Sequence, residues 1–476
     1  MKQIAATLAA AALLAGCGVG PDYVRPTVET PAAFKEAGNW KQAQPRDHEQ
    51  RGRWWEVYND PLLNSLEEQV SISNQNLAKA AAQYRQALAL VQSARAGYYP
   101  TVTGGVSTTR SRASSTTIAQ PSATPISLGV VTNHNIPFQA SWAPDLWDSL
   151  GRSVEANEAS AQASAGDLAS ARLSAQATLA QSYFQLRALD AQQQLLEDTV
   201  VAYEQSLKLV QNQYAVGVAA KADLVSAQTQ IKTTQAQAID IGVQRAQLEH
   251  AIALLVGKPP ADLSIPRAPP KVAVPLAPAG LPSDLLERRP DIAAAERRMA
   301  QANAQIGVAT AAFFPALTIS ASTGYQSASM AKWLTAPSRY WSLPASIAQS
   351  IFDGGLREAN TRQAMAAYDA NVASYRQTVL TGFQQVEDSL ATLRILEQEA
   401  EVQGEAVKLA NQSLALTINQ YKAGTVNFLN VVVAQTTALA NQRTAMNLLG
   451  QRLVASAQLI ANLGGGWSSS ELGEKK

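Results

Sequence analysis

The sequence predicts a mainly α protein that carries a membrane β-barrel shared between chains, and three observations predict it. The chain is written twice: Trp147-Asp148-x-x-Gly151-Arg152 returns as Phe352-Asp353-x-x-Leu356-Arg357, and Gln213-Tyr214-x-x-Gly217 returns as Gln420-Tyr421-x-x-Gly424. Ala94-x-Ala96-Gly97-Tyr98-Tyr99-Pro100 likewise returns as Ala309-x-Ala311-Ala312-Phe313-Phe314-Pro315. The landmarks keep one order and an offset of roughly 205 to 215 positions, so a tandem duplication builds one unit twice. Each half also holds a long stretch without proline, too long for a helix inside a compact core. Finally, each half holds segments that alternate apolar and polar residues with period two, the pattern of a strand with one face to lipid and one to a polar lumen.

Composition narrows the function classes. Among 476 residues, 38 basic side chains nearly cancel 37 acidic ones, and aromatics make up only 6%. No basic excess points to nucleic acid or to an anionic membrane surface. At the N-terminus, Lys2 precedes an apolar stretch from Ile4 to Leu14, the length of a signal-peptide core and too short to span a bilayer as a helix. Leu14-Ala15-Gly16-Cys17 then reads as a bacterial lipobox, with 1–16 as the signal peptide and Cys17 as the lipidated mature N-terminus; an ordinary signal peptide that happens to precede a Cys is the alternative. The chain has a single Cys, which leaves no disulfide to stabilise an exported protein. Gly18 rather than Asp after the Cys implies sorting to the outer membrane.

The lipidated segment runs from 17 to 60 and the first repeat from 61 to 256. The repeat opens on a heptad seam (Leu63, Leu66, Val70, Ser73, Leu77, Ala80, Tyr84, Ala87, Val91, Ala94, Tyr98) with one polar break at Ser73, which predicts one long helix. Asn59-Asp60-Pro61 is its start signal and Tyr99-Pro100 its stop. From Gly151 to Tyr214 there is no proline and one internal glycine, Gly166, which predicts a helix of about 96 Å at 1.5 Å per residue. Its copy runs from Leu356 to Tyr421. Each long helix ends at Tyr-x-x-Gly and a second helix follows, over Ala222–Val256 and Asn427–Leu463. Gly217 and Gly424 suit the left-handed conformation that closes a helix, so the chain makes two helical hairpins whose tips share one end.

A proline-rich linker at 257–282 separates the repeats and excludes regular helix. The second repeat covers 283–463, and 464–476 is a C-terminal tail. The strands come in pairs. Leu317, Ile319, Ala321 and Tyr325 alternate with polar neighbours, as do Trp341, Leu343, Ala345 and Ile347; the first half offers Phe138, Ala140 and Trp142 and a weaker run from Thr101 to Thr109. The runs from Ser111 to Pro125 and from Ala328 to Arg339 are expected as external loops. Four strands cannot close a membrane barrel, whose smallest form has about eight. Two chains would give eight strands and a filled lumen, and three would give twelve and room for a passage.

Chemistry-bearing motifs are missing. His48, His134 and His250 are the three histidines, and with one Cys they form no Cys/His metal cluster. There is no phosphate-binding Gly-rich loop and no Gly-x-Ser-x-Gly elbow. Glu387 and Asp388 read as solvated helix faces rather than an acid/base pair. No catalytic residue, metal ligand or cofactor is expected apart from the covalent lipid on Cys17, and the chain is not expected to be an enzyme.

With these residues in view, the chain resembles the TolC-like outer membrane factors, in their lipoprotein (NodT/OprM-like) branch of efflux systems. The resemblance is carried by Leu14-Ala15-Gly16-Cys17, Gly20-Pro21-Asp22-Tyr23 with Pro26, and Trp54-Trp55-x-x-Tyr58-x-Asp60-Pro61-x-Leu63. It continues through Asn74-x-Asn76-Leu77-x-x-Ala80, Glu287-Arg288-Arg289-Pro290-Asp291-Ile292, Phe352-Asp353-Gly354-Gly355 and the two Tyr-x-x-Gly tips. It implies a homotrimer in the outer membrane, with a 12-stranded β-barrel continued by a trimeric α-barrel across the periplasm. It also implies two partners, a periplasmic adaptor docking at Tyr214, Gly217, Tyr421 and Gly424, and an inner-membrane pump driven by protons. Phe313 and Phe314 are implied near the barrel-to-helix junction. Members of the wider family can close the periplasmic end with charges, yet Leu414 to Gln420 here carry none, so apolar and amide packing with Leu416 and Ile418 is the expected gate. The function implied is a passive exit duct for drugs and other small molecules. A duct for metal ions or for type I protein secretion is the alternative within that class, and a lipid-anchored coiled-coil spacer without a pore is the alternative outside it.

Overall fold

The computed structural model describes residues 18–37, 52–112, 129–270, 272–275 and 282–472. Cys17 and the expected external loop from residue 113 onward lie outside the described residues. The helices are α1 (Pro61–Ser73), α2 (Gln75–Ala96), α3 (Ser149–Ala215), α4 (Lys221–Leu255), α5 (Leu285–Arg288), α6 (Pro290–Ala311), α7 (Leu356–Lys422) and α8 (Phe428–Asn462). Copies match in length: α2 and α6 have 22 residues each, α3 and α7 have 67, and α4 and α8 have 35. At 1.5 Å per residue, α3 and α7 are each about 100 Å long.

One expectation is corrected. The single helix read through the first heptad seam is two helices, broken at Asn74, which adopts an extended backbone. The Asn74 side chain explains the break: its Oδ1 accepts the Asn76 and Leu77 N–H groups at 2.9 and 3.1 Å, the N-cap of a new helix, while its Nδ2 donates to the Leu255 carbonyl at 2.8 Å. The seam keeps its phase across the break, since Leu63, Leu66, Val70, Leu77, Ala87 and Val91 are all buried.

The chain divides into two compact units, with one boundary after Pro26 and the other four inside α2, α3, α6 and α7. The first comprises the described parts of Met1–Pro26, Arg85–Ala161 and Arg297–Ala373. It holds an antiparallel sheet of β1 (Thr101–Gly104), β2 (Ser107–Ser111), β3 (Val131–Trp142), β4 (Ala316–Ser327), β5 (Arg339–Ser342) and β6 (Ala345–Ala348). β1 and β2 both pair with β3, β5 and β6 both pair with β4, and β3 pairs with β4. The sheet thus has four antiparallel rows, as expected, with the two outer rows interrupted at Gly105-Val106 and Leu343-Pro344. Pro344 has no N–H to offer a ladder. Its carbonyl still accepts Ser320 N–H at 2.9 Å, and Gly105 N–H donates to the Pro137 carbonyl at 3.0 Å, so both rows stay attached.

The second unit comprises the described parts of Thr27–Tyr84, Gln162–Glu296 and Ser374–Lys476. Its core is built on Trp54, Trp55, Tyr58, Leu63, Leu66, Tyr183, Phe184, Ile252 and Leu453. Tyr58 packs on Phe184 with ring centroids 4.6 Å apart, and its hydroxyl meets Ser456 Oγ at 2.7 Å. Asp60 caps α1 through Leu62 and Leu63 N–H and also accepts the Tyr183 hydroxyl at 2.6 Å. The Trp-Trp-x-x-Tyr-x-Asp-Pro run is therefore a plug with its own helix cap.

The linker is held by a buried ionic network. Asp190 receives Arg187 at 3.0 Å and Arg245 at 2.7 Å, and Arg245 also pairs with Glu249 at 2.9 Å. Both arginines donate to linker carbonyls, Arg187 to Pro266 at 2.7 Å and Arg245 to Ile265 at 2.6 Å, so the charges are paired and the proline-rich backbone is satisfied together. The Glu-Arg-Arg-Pro-Asp-Ile run has a similar task. Arg289 grips Asp291 through two bonds at 3.0 and 2.7 Å and donates to the Asn462 carbonyl at 3.2 Å, joining the start of α6 to the end of α8.

Glu387 is also corrected. It is no merely solvated side chain, because its two oxygens accept the backbone N–H groups of Lys35 and Glu36 at 2.6 and 2.9 Å. Arg394 then reaches Glu36 at 2.6 Å, so α7 holds the segment ahead of Trp54.

Candidate functional site

The sheet sorts its side chains by face. Residues directly opposite in an antiparallel ladder share a face. Val102, Ala140 and Ala321 form one such row, Phe138, Thr323 and Trp341 the next, and Trp142, Ile319 and Ala345 another, with Leu317 opposite Ile347. On the other face stand Thr103, Gln139, Ser322 and Ser342, then Thr101, Ser141 and Ser320, then Asn135 and Gln326. In these rows one face is apolar but for Thr323 and the other bears hydroxyl and amide groups, while His134, Ser327 and Arg339 share the first face towards its far end. Ser322 and Ser342 bond across the polar face at 2.8 Å. The apolar face is bare: Val102, Phe138, Trp341 and Ile347 are all more than half exposed.

Aromatic groups bracket this face. At the helix end of the sheet, Trp142 Nε1 donates to the Tyr98 carbonyl at 3.0 Å, and Trp147 Nε1 donates to the Pro315 carbonyl at 2.7 Å while stacking on Phe314 at 4.8 Å. Phe313 lies beside the Arg357 guanidinium, 5.4 Å from its ring centroid. Both phenylalanines thus sit between α6 and β4, at the junction expected for them. At the far end Trp333 packs on His134 at 5.2 Å and donates to the Tyr325 carbonyl at 3.2 Å. Aromatic side chains at the ends of an apolar band are a marker of strands that cross a bilayer. Among the described residues no helix is long and apolar enough to do so.

Among the described residues the sheet has two free edges: β1 with β2, and β5 with β6, each pair on one side only. Long edges of this kind recruit another chain unless they are covered.

The hairpin tips form the second candidate site. Gly217 and Gly424 have φ of 78° and 74°. Each closes its helix in the same way, with Val218 N–H donating to the Gln213 carbonyl at 2.9 Å and Thr425 N–H to the Gln420 carbonyl at 3.0 Å. Gln-Tyr-x-x-Gly is the sequence of that closure. The two tips also pack on each other, through Val210 and Ala227 from the first hairpin and Tyr421, Phe428 and Val431 from the second.

The tyrosines part company here. Tyr214 is 43% exposed and is followed by the exposed Val216 and Val218, whereas Tyr421 is 7% exposed and packs on Phe428 at 5.4 Å. Burial, with the nearby Asp223 carboxylate, pushes the Tyr421 hydroxyl pKa up. Leu416 is exposed, while Ile418 lies half-buried against the tip cluster.

Sequence reading missed Glu67, which is fully buried on α1 with both carboxylate oxygens unpartnered among the described residues. Burial raises its carboxyl pKa well above the ordinary range. The only sequence signal is a charge on the flank of the heptad seam.

A family model described as outer membrane efflux protein matches residues 66–258 and 281–465. The chain is 30% identical over 478 residues to the toluene efflux pump outer membrane protein TtgF of Pseudomonas putida, with 98% of each chain covered. It is likewise 30% identical over 475 residues to the pyoverdine export outer membrane protein OpmQ of Pseudomonas aeruginosa, covering 99% of this chain and 98% of that one. Among solved structures, the outer-membrane channel OprN matches with a TM-score of 0.86 at 28% identity, over 95% of this chain and 100% of that chain.

Proposed function

The chain belongs to the outer membrane efflux protein family, and from that premise we propose that three copies of it form one continuous exit duct. The fold is that of the TolC-like channels, the location is the outer membrane, and the protein is the outer membrane component of an efflux system. The observation that carries the trimer is the four-row sheet, with one mainly apolar face, one polar face and two edges unpaired among the described residues. If each free edge pairs with the opposite edge of the next copy, the contact is heterologous and the ring closes. Four rows from each of three chains give twelve strands, enough for a passage where eight leave a lumen filled by side chains. The same three copies supply twelve long helices, α3, α4, α7 and α8 from each chain.

The partners follow from this assembly. A periplasmic adaptor docks on the hairpin tips, touching Tyr214 and the loops closed by Gly217 and Gly424, with Tyr421 as the buried brace behind them. An inner-membrane pump, driven by protons, supplies the energy and selects the cargo. Two relatives equally identical to this chain are named for toluene and for pyoverdine, which supports a duct that passes drugs and other small molecules without reading them. Leu416 and Ile418 close the periplasmic end by apolar packing, and Cys17 carries the lipid.

Detergent-corrected mass and planar-bilayer conductance of the purified protein test the proposal together. A three-chain mass with conducting steps is expected, and a two-chain mass would overturn the passage. Leu416→Ala and Ile418→Ala channels should conduct more than the wild type; unchanged conductance would remove the gate assignment alone. Cys17→Ala should abolish incorporation of labelled fatty acid.

A further inference from the structure

In the second unit, α3 and α7 each turn one face away from the plug and the linker. On α3, Tyr183 belongs to the plug core, and Arg187 and Asp190 hold the linker. Gln185, Ala188 and Gln192 each stand two positions from one of these, about 200° round the helix. α7 follows the same rule. Gln385 and Ser389 stand two positions from Glu387, and Thr392 and Leu396 two from Arg394, the pair that grips the segment at Lys35 and Glu36. The turned-away residues line one cavity of about 970 Å³, which Gln244 and Gln247 of α4 and Asn447 and Gln451 of α8 complete.

A run of amides holds the wall of this cavity. Gln181 Nε2 donates to Gln458 Oε1 at 2.6 Å and Gln458 Nε2 to Asn462 Oδ1 at 2.8 Å. Asn462 Nδ2 then donates to Ser389 Oγ at 3.0 Å and to the Gln385 carbonyl at 3.1 Å. A backbone carbonyl only accepts, so it sets the sense of every amide in the run, and the aligned dipoles tie α3, α8 and α7 together. Gln185, Gln244, Gln247, Asn447 and Gln451 are by contrast exposed, with Leu189, Leu248 and Leu396 among them. No lysine or arginine lines the cavity, whereas Asp388 does. Its carboxylate accepts Gln384 Nε2 at 3.4 Å and pairs with no cation among the described residues. A cavity of this size that mixes apolar surface with oriented polar groups fits a drug-sized molecule, and the lone carboxylate favours a positive charge over a negative one.

We propose that this cavity is a resting site on the duct wall for drug-sized amphipathic molecules that are neutral or cationic. The leucines take the apolar body, the exposed amides of four helices supply the hydrogen bonds, and Asp388 attracts a positive charge. An amide both donates and accepts, so the site is broad, which suits a duct that passes unlike cargoes. Three copies of the chain carry three such sites at one level. The lumenal placing of the face turned away from plug and linker rests on the three-copy duct.

The test uses the full chain in phosphatidylcholine nanodiscs, with ethidium as a cationic probe and fluorescein as an anionic one, read by fluorescence anisotropy against empty discs. Ethidium should bind the wild type saturably and fluorescein should not. Asp388→Asn should weaken ethidium binding about fivefold. Gln451→Trp, which fills the cavity from an exposed position, should reduce it to the empty-disc level. Should that variant lose the three-chain mass, Gln185→Leu/Gln244→Leu removes hydrogen-bonding groups at two other exposed positions and should weaken ethidium binding by a factor like that of Asp388→Asn. Ethidium bound equally by the wild type and the variants, or fluorescein bound as tightly as ethidium, would overturn the site. So would a wild type that has the three-chain mass and conducts yet binds no ethidium saturably, and that result leaves the duct intact. A wild type that neither assembles nor conducts would instead overturn the duct, and the lumenal placing with it.

Discussion

Glu67 makes the stability of this protein depend on pH in a direction opposite to ordinary acid denaturation. Its side chain has no exposure, its two oxygens find no partner among the described residues, and burial raises its carboxyl pKa well above the usual range. Arg53, the nearest cation ahead of it in the chain, is turned to Glu56 and Glu68 instead. A carboxylate without a cation in such a place protonates rather than stay charged. The unfolded chain, by contrast, is ionised above the ordinary Glu pKa of about 4.3. Folding therefore takes up a proton, so the penalty is absent in acid and grows as pH rises, until the folded carboxyl itself ionises. The slope is about 1.4 kcal/mol per pH unit for one proton, or about 2.7 kcal/mol between pH 5 and pH 7 if the folded group stays neutral throughout. Glu67→Gln cannot ionise, so the stability difference between it and the wild type should widen by that amount over the interval. Urea unfolding midpoints at pH 5, 6, 7 and 8 measure the difference, and infrared spectra should show a protonated-carboxyl band in the wild type that the variant lacks. Parallel pH profiles for the two proteins, with no such band, would refute the reasoning.

Other substitutions probe the remaining elements. Asn74→Ala removes the cap of α2 and a bond to the Leu255 carbonyl, and should cost about 1–2 kcal/mol with faster hydrogen exchange in the first turn of α2. Asp190→Ala leaves Arg187 and Arg245 buried without their shared partner, and should cost about 3–5 kcal/mol, read as loss of folded protein in a denaturation or accumulation assay. Gly324→Val should block the pairing of β3 with β4, because a Cβ there would lie 2.1 Å from the Ile136 carbonyl oxygen; assembly, read by heat-modifiable gel mobility, should be lost. Tyr421→Ala should destabilise the tips by opening a cavity beside Phe428, whereas Tyr214→Ala should leave the melting temperature unchanged and weaken adaptor binding in a pull-down.

Much of the fold was legible because its signals are local and periodic. Proline-free length predicted α3 and α7, and the Gln-Tyr-x-x-Gly repeats predicted their ends, since a left-handed closure needs a glycine at one defined position. The Asn74 break was not legible as a break, because an Asn in a heptad-compatible stretch reads as a tolerated polar residue. What makes it a cap is the Leu255 carbonyl, 181 positions away. Glu387 was misread for a similar reason: its partners are the backbone N–H groups of Lys35 and Glu36, and backbone groups leave no mark in a sequence. Of the sites, the tips were visible as motifs, but which tyrosine is buried depends on how two hairpins pack. The facing of the sheet was visible only in fragments. β3 alone alternates imperfectly, and the pattern becomes clear when the register sets Phe138 beside Thr323 and Trp341.

The duplication has diverged at the places where something present only once must dock. In the second copy Asp353 caps its own helix, accepting Gly355 and Arg357 N–H groups at 3.0 and 3.2 Å, and Arg357 folds back onto that same carboxylate. In the first copy Asp145 takes over the capping, accepting Gly151 N–H at 2.8 Å. Asp148, the counterpart of Asp353, is thereby released into a left-handed backbone with φ of 60° and lies against Gly18, while Arg152, the counterpart of Arg357, turns to Asp22. A chain has one N-terminal segment and two helix starts, so only one start can receive it. The same rule holds at the tips, where Tyr421 fills the space between the hairpins and Tyr214 is left outside. Helix lengths have stayed equal because both copies must reach the same distance, and the side chains have parted where one copy meets a surface that the other does not.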